Sequence, residues 1–328
     1  MRKRSLVVFL AVALILLEFS NIALAERASI STRTDVARAA RQDEVKNADK
    51  PFSMVWFTDS QYYAKSFPTI YDFLGDWFVN EYKKGAFGYV INTGDIVDVA
   101  SDANQWEVAS RNFKKLDDAK VPYGIVAGNH DAIIIGIDYS MFSKYFGTFR
   151  YEGKSWYGGN MDNNRNHYDL VSFGCHEFII LYLGYGTETT KETIHWSNDV
   201  LRKYSERTAI LAVHEYLEDT AELTKMAKNI FDNIVVKNDN VMIVLCGHNH
   251  GAARNIKTVT NSDGSTRKVI EILSDYQNAP NGGDGYLRYL NFDPAAGTLN
   301  VVTYSPYKNK YNFFNESDDS FTEMIQIK

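Results

Sequence analysis

The sequence predicts an α/β fold, and three observations lead to this prediction. Five apolar runs of strand length each end in an Asp, Gln, Asn or His side chain. Stretches with the spacing of amphipathic helices lie between the first three runs. Near the end of the chain, apolar runs separated by turn residues indicate antiparallel strands. The five runs are residues 54–58, 89–93, 123–127, 209–213 and 241–246.

The first part of the chain predicts alternating strands and helices. One helical stripe covers residues 70–78 and is followed by Gly85 as a stop signal. A second stripe covers residues 106–116 and is preceded by Asp102 as a candidate N-cap. Residues 52–127 therefore predict a β-α-β-α-β order, in which right-handed crossovers join parallel strands.

The rest of the chain predicts two more helices and three antiparallel strands. The helices are expected near residues 193–204 and 223–234, and the strands at residues 268–273, 286–292 and 298–304. One domain, residues 51–328, then follows a polar linker at residues 26–50.

The first 25 residues have the composition of a secretory signal peptide. Arg2, Lys3 and Arg4 form a positive region, residues 6–17 are all apolar, and small residues precede a cleavage site after Ala25. The alternative is a membrane anchor, but twelve apolar residues are fewer than the roughly 20 that a spanning helix needs. We therefore expect a secreted, extracellular protein with no transmembrane segment in the mature chain.

The charge balance argues against one class of substrate. The chain carries a net charge of −6, and loss of Arg2, Lys3, Arg4 and Glu18 with the first 25 residues changes this to −8. An acidic surface repels a phosphate backbone, so we do not expect a long nucleic acid as the substrate.

The cysteines do not indicate a disulfide framework. There are two of them, Cys175 and Cys246, which is too few for such a framework. Both adjoin apolar runs, so we expect two buried thiols.

The polar residues after the five apolar runs form an ordered set of candidate metal ligands. Loops converge at the carboxyl ends of strands, so these side chains are expected to meet in one cluster rich in oxygen and nitrogen. Each motif alone occurs by chance in many proteins, and the inference depends on the order of the set. The motifs are Asp59-x-Gln61, Gly94-Asp95-x-x-Asp98, Gly128-Asn129-His130-Asp131, His214 and Gly247-His248-x-His250. Such a cluster is typical of enzymes that cleave phosphate esters with two metal ions.

This ordered set resembles the calcineurin-like metallophosphoesterase superfamily over about residues 52–307. The Asp-Ser-Gln-Tyr-Tyr segment from Asp59 and the Leu-Ser-Asp-Tyr-Gln segment from Leu273 resemble a branch of secreted bacterial phosphoesterases. The resemblance implies a four-layer α/β/β/α sandwich of two mixed sheets flanked by helices. It also implies a catalytic domain that hydrolyses phosphate esters by attack of a hydroxide bridging two metal ions.

The resemblance assigns a ligand role to seven residues of this chain. Asp59, Gln61 and His250 would hold the first metal ion, Asn129, His214 and His248 the second, and Asp95 would bridge both. A shared carboxylate suits this position because two neighbouring cations repel each other.

Two further residues are expected to assist the reaction. By the resemblance, His130 faces the substrate and acts as the general acid for the leaving group, and Asp98 orients its imidazole. The alternative for Asp98 is that it caps the following turn. Asp131 is expected to hold its loop and to take no part in catalysis.

The ligand set favours certain metals. Gln61 stands where many relatives have a histidine, which makes the first site rich in oxygen and favours Mn²⁺, Mg²⁺ or Fe²⁺ over Zn²⁺. The second site suits Mn²⁺, Fe or Zn²⁺, so we expect two divalent ions, with Mn²⁺ preferred. Purple acid phosphatases have a tyrosinate where this chain has Asp98, which argues against the Fe(III) class.

Three functions remain open at this point. A phosphodiesterase acting on a small-molecule or head-group ester is favoured over a phosphomonoesterase, because the chain lacks the extra lid domain of related nucleotidases. A binding module without activity would have lost at least one ligand, yet all seven positions are filled. The loop at residues 275–286 is expected to contact the substrate or to be a plain hairpin turn, and Arg288 is the nearest candidate cation for a phosphate.

Overall fold

The computed structural model describes residues 50–132 and 137–328. The expected signal peptide, residues 1–25, and all but the last residue of the expected linker lie outside the described residues. In the part of the chain that is described, no helix combines the length and apolar composition needed to cross a membrane.

Fourteen strands are present in the described residues. They are β1 Phe52–Phe57, β2 Tyr89–Asn92, β3 Tyr123–Ile125, β4 Tyr157–Met161, β5 Asn166–Phe173, β6 His176–Leu183, β7 Thr208–Val213, β8 Val241–Cys246, β9 Gly251–Thr260, β10 Thr266–Asp275, β11 Leu287–Asp293, β12 Thr298–Ser305, β13 Lys310–Tyr311 and β14 Ser320–Met324.

Helical segments connect many of these strands. They are α1 Gln61–Lys65, α2 Pro68–Lys83, α3 Ala103–Asp118, α4 Ser140–Phe146, α5 Lys191–Lys203, α6 Lys225–Ile230, α7 Pro280–Gly283 and α8 Glu316–Asp319, with a 3₁₀ turn at Thr148–Arg150 and a π turn at Phe231–Val235.

The strands form two mixed sheets of seven strands each. The first has the order β13-β12-β11-β1-β2-β3, with β14 also paired to β12, and the second has the order β4-β5-β6-β7-β8-β10-β9. Strands β1, β2 and β3 are parallel, as are β6, β7, β8 and β10. The expected β-α-β-α-β unit and the two mixed sheets flanked by helices are confirmed.

Three apolar layers hold the sheets and helices together. Residues of one layer pack between the first sheet and helices α2 and α3, for example Val55 against Leu74 and Phe113. A second layer, with Trp56, fills the space between the sheets, and a third covers the other face of the second sheet. Because neighbouring residues of β1 enter different layers, the strand is buried on both faces and its sequence is a continuous apolar run.

The helix boundaries agree closely with the sequence pattern. Asp102 is the N-cap of α3, and its side chain accepts a hydrogen bond from the Asn104 backbone N–H at 3.0 Å. The helix expected near residues 193–204 is α5, and the one expected near 223–234 is α6 continued by the π turn. Strands β11 and β12 are antiparallel as expected, whereas β10 pairs antiparallel with β9 and parallel with β8.

The expectation of two buried thiols is wrong for one cysteine. Cys246 is buried at the end of β8, but Cys175 is exposed. Gly174 and Cys175 form the tight turn between β5 and β6, which places Cys175 at the surface although most residues of both flanking strands are buried. Both cysteines are free thiols.

Candidate metal centre

The candidate ligands lie in loops at the carboxyl ends of strands from both sheets. Asp59 and Asp95 follow β1 and β2, and Asn129 follows β3. His214 and His248 follow β7 and β8 of the facing sheet. The two sheets therefore bring together side chains that are far apart in the sequence.

Asp59, Asp95 and His214 form the centre of this cluster. All three are buried, and one ligand atom from each lies within 4.8 Å of the others. The His214 Nε2 atom is 3.3 Å from Asp95 Oδ1. The His214 Nδ1–H donates to the Thr93 carbonyl at 2.9 Å, which directs Nε2 into the cluster. Fixing one ring nitrogen by a backbone carbonyl is the usual arrangement for a histidine that binds a metal.

The Asn129 amide oxygen connects the two histidines of the expected second metal site. It lies 2.9 Å from His214 Nε2 and 2.9 Å from His248 Nδ1. The two imidazole rings have centroids 5.0 Å apart. The structure thus brings together all three residues assigned to this site.

Gln61 extends the cluster on the other side. Its amide nitrogen donates to Asp95 Oδ2 at 3.2 Å, whereas its amide oxygen is buried and finds no hydrogen-bond partner among the described residues. A buried oxygen without a donor is costly unless something else binds it. A divalent cation would satisfy this atom, so the side chain fits the role of a ligand.

His250 lies at the edge of the cluster. Its side chain is about half exposed, and its Nε2 atom is 3.9 Å from Asp275 Oδ2. Its Nδ1 atom contacts the Asn278 amide nitrogen. His250 is therefore less enclosed than the other assigned ligands and is oriented by residues after β10.

Close backbone packing around the cluster explains the glycines of its motifs. A Cβ atom on Gly128 would lie 2.2 Å from Asp95 Oδ1, and one on Gly247 would lie 2.0 Å from Asp59 Oδ2. Asp59, Asp95 and His248 themselves have positive φ angles of 50°, 51° and 73°. Left-handed backbone in residues other than glycine is costly and concentrates at functional sites.

The pKa values of the two central carboxyls are shifted in opposite directions, because the nearby histidines outweigh burial at Asp95 but not at Asp59. Burial, together with the nearby Asp275, raises the pKa of Asp59 well above its usual value. Burial also acts to raise the pKa of Asp95, but the neighbouring His214 and His130 outweigh it and lower the pKa. The structure therefore places two carboxyls of unequal acidity in one buried cluster.

The pKa values of His214 and His248 are also shifted in opposite directions. Burial opposes protonation of His214, but Asp95 and Asp59 outweigh it and raise the pKa of His214 to about 10. Burial and the charge of His214 lower the pKa of His248 to about 4. The His214 imidazolium is thus stabilised mainly by the Asp95 carboxylate, and binding of a cation at Nε2 would release its proton.

The donor set as a whole fits hard or borderline divalent ions. It consists of carboxylate oxygens, amide oxygens and imidazole nitrogens, with no thiolate among the described residues around it. The unpartnered amide oxygen of Gln61 and the directed Nε2 of His214 both favour a bound cation.

His130 is next to the cluster, and the backbone of Asp98 orients it. The His130 Nδ1–H donates to the Asp98 carbonyl at 2.7 Å, and Nε2 lies 4.0 Å from Asp95 Oδ2. The Asp98 carboxylate is 3.7 Å from Nδ1 and forms a closer ion pair with Lys65, at 2.6 Å. The structure brings His130 and Asp98 together, but through the main chain more closely than through the side chain.

Asp131 holds the loop, as expected from the sequence. One of its oxygens accepts hydrogen bonds from the backbone N–H groups of Ile96 and Val97, at 2.8 and 3.0 Å. The other accepts from the Gly128 N–H at 2.8 Å. Burial and the nearby Asp95 raise the pKa of Asp131 to about 7.

The suggestion that Arg288 meets a phosphate is wrong. Its side chain is fully buried and lies 3.7 Å from Asp319, and its Nε–H donates to the Tyr276 hydroxyl at 3.0 Å. Tyr63 is also buried and accepts a hydrogen bond from the Gly285 N–H at 2.9 Å, whereas Tyr62 is half-buried. Arg288 and Tyr63 are therefore buried residues that support the loop after β10.

Three polar residues beside the cluster were not assigned a role from the sequence. Lys65 pairs with Asp98, Gln277 contacts the Gln61 amide, and Asp275 accepts from Gln277. Asp275 is the last residue of strand β10, so it stands at a strand end as the assigned ligands do. This position is the sequence feature from which a role for Asp275 could have been predicted. Lys65 carries no comparable signal, since exposed lysines on helices are common.

Carboxylate, imidazole and amide side chains meet at the carboxyl ends of strands from two mixed sheets. This combination of fold and site is that of a metallophosphoesterase. Residues 55–252 match the family model described as calcineurin-like phosphoesterase. This chain therefore belongs to the calcineurin-like phosphoesterase family, whose members are metal-dependent hydrolases.

Relatives of known sequence or structure are consistent with this membership. The chain is 42% identical over 293 residues to the uncharacterized protein YvnB of Bacillus subtilis (strain 168), covering 88% of this chain and 23% of that protein. The chain thus spans less than a quarter of that relative. The solved purple acid phosphatase PPD1 from yellow lupin (Lupinus luteus) seeds has a TM-score of 0.54 and is 14% identical, over 84% of this chain and 54% of that one. This likeness concerns the fold.

Proposed function

We propose that the protein hydrolyses phosphate esters at a centre of two divalent metal ions and that it favours phosphodiesters. The convergence of the buried side chains of Asp59, Asp95 and His214 within 4.8 Å is the observation that carries this proposal. Family membership supports it independently.

Seven side chains would hold the ions. Asp59, Gln61 and His250 would bind the first, Asn129, His214 and His248 the second, and Asp95 both. Bound divalent ions, Mn²⁺ by preference and Fe²⁺, Mg²⁺ or Zn²⁺ as alternatives, would activate a water molecule and stabilise charge on the phosphoryl oxygens.

His130 would supply the proton for the leaving group. Its Nδ1–H is held by the Asp98 carbonyl, so Nε2 is the nitrogen that faces Asp95 and the cluster. A protonated imidazole in this orientation presents Nε2–H to an oxygen departing from phosphorus. The side chain is about 39% exposed, which leaves room for a substrate to approach.

The charge around His130 favours a diester over a monoester. The ammonium of Lys65 is neutralised by the Asp98 carboxylate at 2.6 Å. A monoester dianion gains more from a free cation beside the metal ions than a diester monoanion does. The pairing of Lys65 with Asp98 therefore supports a singly charged phosphodiester as the substrate.

The proposal is tested by hydrolysis of bis(4-nitrophenyl) phosphate beside 4-nitrophenyl phosphate. The purified protein is stripped with a chelator and restored with Mn²⁺, Fe²⁺, Mg²⁺ or Zn²⁺. Faster cleavage of the diester is expected, and preference for the monoester would make the protein a phosphomonoesterase. Hydrolysis of neither substrate with any of the metals would contradict the proposal.

We also propose that the protein is exported. The positive region, the apolar stretch and the small residues before Glu26 support this proposal. Mass spectrometry of protein recovered from the medium of an expressing bacterial culture should show a chain that begins at Glu26. Retention of the intact chain inside the cell would contradict export.

A further inference from the structure

The amide of Gln61 is held in one orientation by a chain of polar side chains. Its Nε2 group has two hydrogens, and it contacts both Asp95 Oδ2 and the Gln277 amide oxygen. Both donors are therefore used, and the amide oxygen remains without a partner in the described structure. The orientation of this amide decides whether an oxygen or a nitrogen faces the candidate metal site.

Asp275 determines which way the neighbouring amide of Gln277 points. The Gln277 Nε2–H donates to Asp275 Oδ2 at 3.1 Å, and the Gln277 backbone N–H donates to Oδ1 at 2.8 Å. A carboxylate accepts hydrogen bonds and does not donate them, so Gln277 must turn its nitrogen toward Asp275. Its oxygen is then available only to a donor, and Gln61 must present its nitrogen. Asp275 thus fixes the orientation of the Gln277 amide, and Gln277 in turn fixes the orientation of the Gln61 amide.

The three side chains of this chain are buried, so each amide is held in a single orientation. Asp275 is 0% exposed, Gln277 7% and Gln61 1%. Water cannot readily replace the lost contacts if an amide turns over, and a buried polar group without a partner destabilises the folded state. The adjacent Asn278 contacts His250, so residues 275–278 support two of the side chains assigned to the first metal ion.

We propose that Gln277, oriented by Asp275, is a positioning residue that turns the Gln61 amide oxygen toward the first metal ion and so raises the affinity of that site. The proposal rests on the proposed metal centre. It assigns a role to the Leu-Ser-Asp-Tyr-Gln segment after Ile272, which the sequence pattern singled out without explaining. It also explains how an amide can occupy a position where many relatives have an imidazole, since an amide needs a partner to fix which of its two ends faces the ion.

The test compares Mn²⁺ binding to chelator-treated wild type and the Gln277→Leu variant by isothermal titration calorimetry. Leucine is close in size and removes both side-chain hydrogen bonds. We expect affinity at one site to fall roughly 10- to 100-fold, as is usual when a residue that supports a metal ligand is lost. Affinity at the other site should stay unchanged. If Gln277→Leu binds each of the two Mn²⁺ ions with the same affinity as wild type, the inference is overturned.

A double-mutant cycle separates positioning from general loosening of the structure. Once Gln61→Ala has removed the amide, adding Gln277→Leu should have no further effect on Mn²⁺ affinity. Additive losses would mean that Gln277 acts by another route and would overturn the proposal. Asn112→Leu is the matched control, because Asn112 is a 2% exposed amide on α3 whose nitrogen donates to the Val108 carbonyl of its own helix. It should leave Mn²⁺ binding unchanged.

Two outcomes distinguish this inference from the proposed function. Wild-type protein that binds fewer than two Mn²⁺ ions would overturn the metal centre and the inference with it. Wild-type protein that binds two ions, with Gln277→Leu unchanged, would overturn the inference alone. Gln277→Met, an unbranched replacement, is used in the same way if circular dichroism shows that the leucine variant does not fold.

Discussion

The Asp98 carboxylate is paired with the Lys65 ammonium at 2.6 Å, while the His130 imidazole is held by the Asp98 main-chain carbonyl at 2.7 Å. The side chain and the backbone of one residue therefore have different partners. A substitution at Asp98 removes the ion pair but keeps the hydrogen bond that orients His130. The negative charge of Asp98 can therefore be removed without removing the carbonyl group that orients His130.

Asp98→Asn should lower the rate of diester hydrolysis by less than about tenfold. The carbonyl that orients His130 remains, and an exposed ion pair contributes at most about 1 kcal/mol. His130→Ala should lower the rate by about 10²- to 10⁴-fold, the usual contribution of a general acid. The two variants are compared by kcat at saturating Mn²⁺. A loss for Asp98→Asn as large as that for His130→Ala would show that the carboxylate is needed.

His130→Ala should also reveal its role through the leaving group. Proton donation matters most when the departing alkoxide is a strong base, so the rate should fall more for an alkyl phosphodiester than for a 4-nitrophenyl one. Metal content, measured by mass spectrometry of the elements, should equal that of wild type. Equal losses for both substrates would mean that His130 stabilises charge on the phosphoryl oxygens and does not donate a proton.

Asp95→Asn should weaken both metal sites and nearly abolish hydrolysis. Asp95 is within reach of Gln61, His130 and His214, and an amide cannot offer an anionic oxygen to each of two ions. The variant is assayed for bound Mn²⁺ and for diester cleavage. Retained activity with a full complement of metal would contradict the bridging role.

The stability of the protein should depend on pH through Glu271, a fully buried carboxyl on β10. Burial raises its pKa to about 7, although the Tyr216 hydroxyl donates to it at 2.8 Å. The folded state then holds a proton that the unfolded state releases, so the free energy of unfolding should fall as pH rises from about 4.5 to about 7. The loss is on the order of 3 kcal/mol.

Glu271→Gln should remove this part of the pH dependence. The neighbouring Asn255 amide, 3.0 Å away, can turn to accept from the new amide nitrogen. In thermal unfolding followed by circular dichroism, the variant should gain stability over wild type at pH 8 but not at pH 4.5. The exposed Glu222→Gln serves as the control and should show no such difference. A constant offset between Glu271→Gln and wild type at both pH values would contradict the assignment.

The sequence allowed prediction of those parts of the fold and site that local patterns encode. Asp59, Asp95 and His214 each follow an apolar run, and the order of strand ends was enough to place them together. Strand β9 was not predicted, because its alternating half-buried residues gain their order from pairing with β10. Cys175 was misjudged because a tight turn can expose a residue between two buried strands.

The contacts between distant polar residues could not be predicted in this way. Gln61 and Gln277 are 216 residues apart, and Lys65 and Asp98 are 33 apart. Such pairs depend on how segments after different strands meet, and no local sequence pattern indicates this. The burial of His167 also could not be predicted from a local pattern. It depends on stacking of the His167 ring on Tyr182, with centroids 4.3 Å apart.

The most direct test of the account is a titration of chelator-treated protein with Mn²⁺ while hydrolysis of bis(4-nitrophenyl) phosphate is followed. The two-metal centre predicts no activity without metal and a rate that saturates at two Mn²⁺ ions per chain. Saturation at one ion per chain, or hydrolysis that persists without metal, would contradict the dinuclear centre.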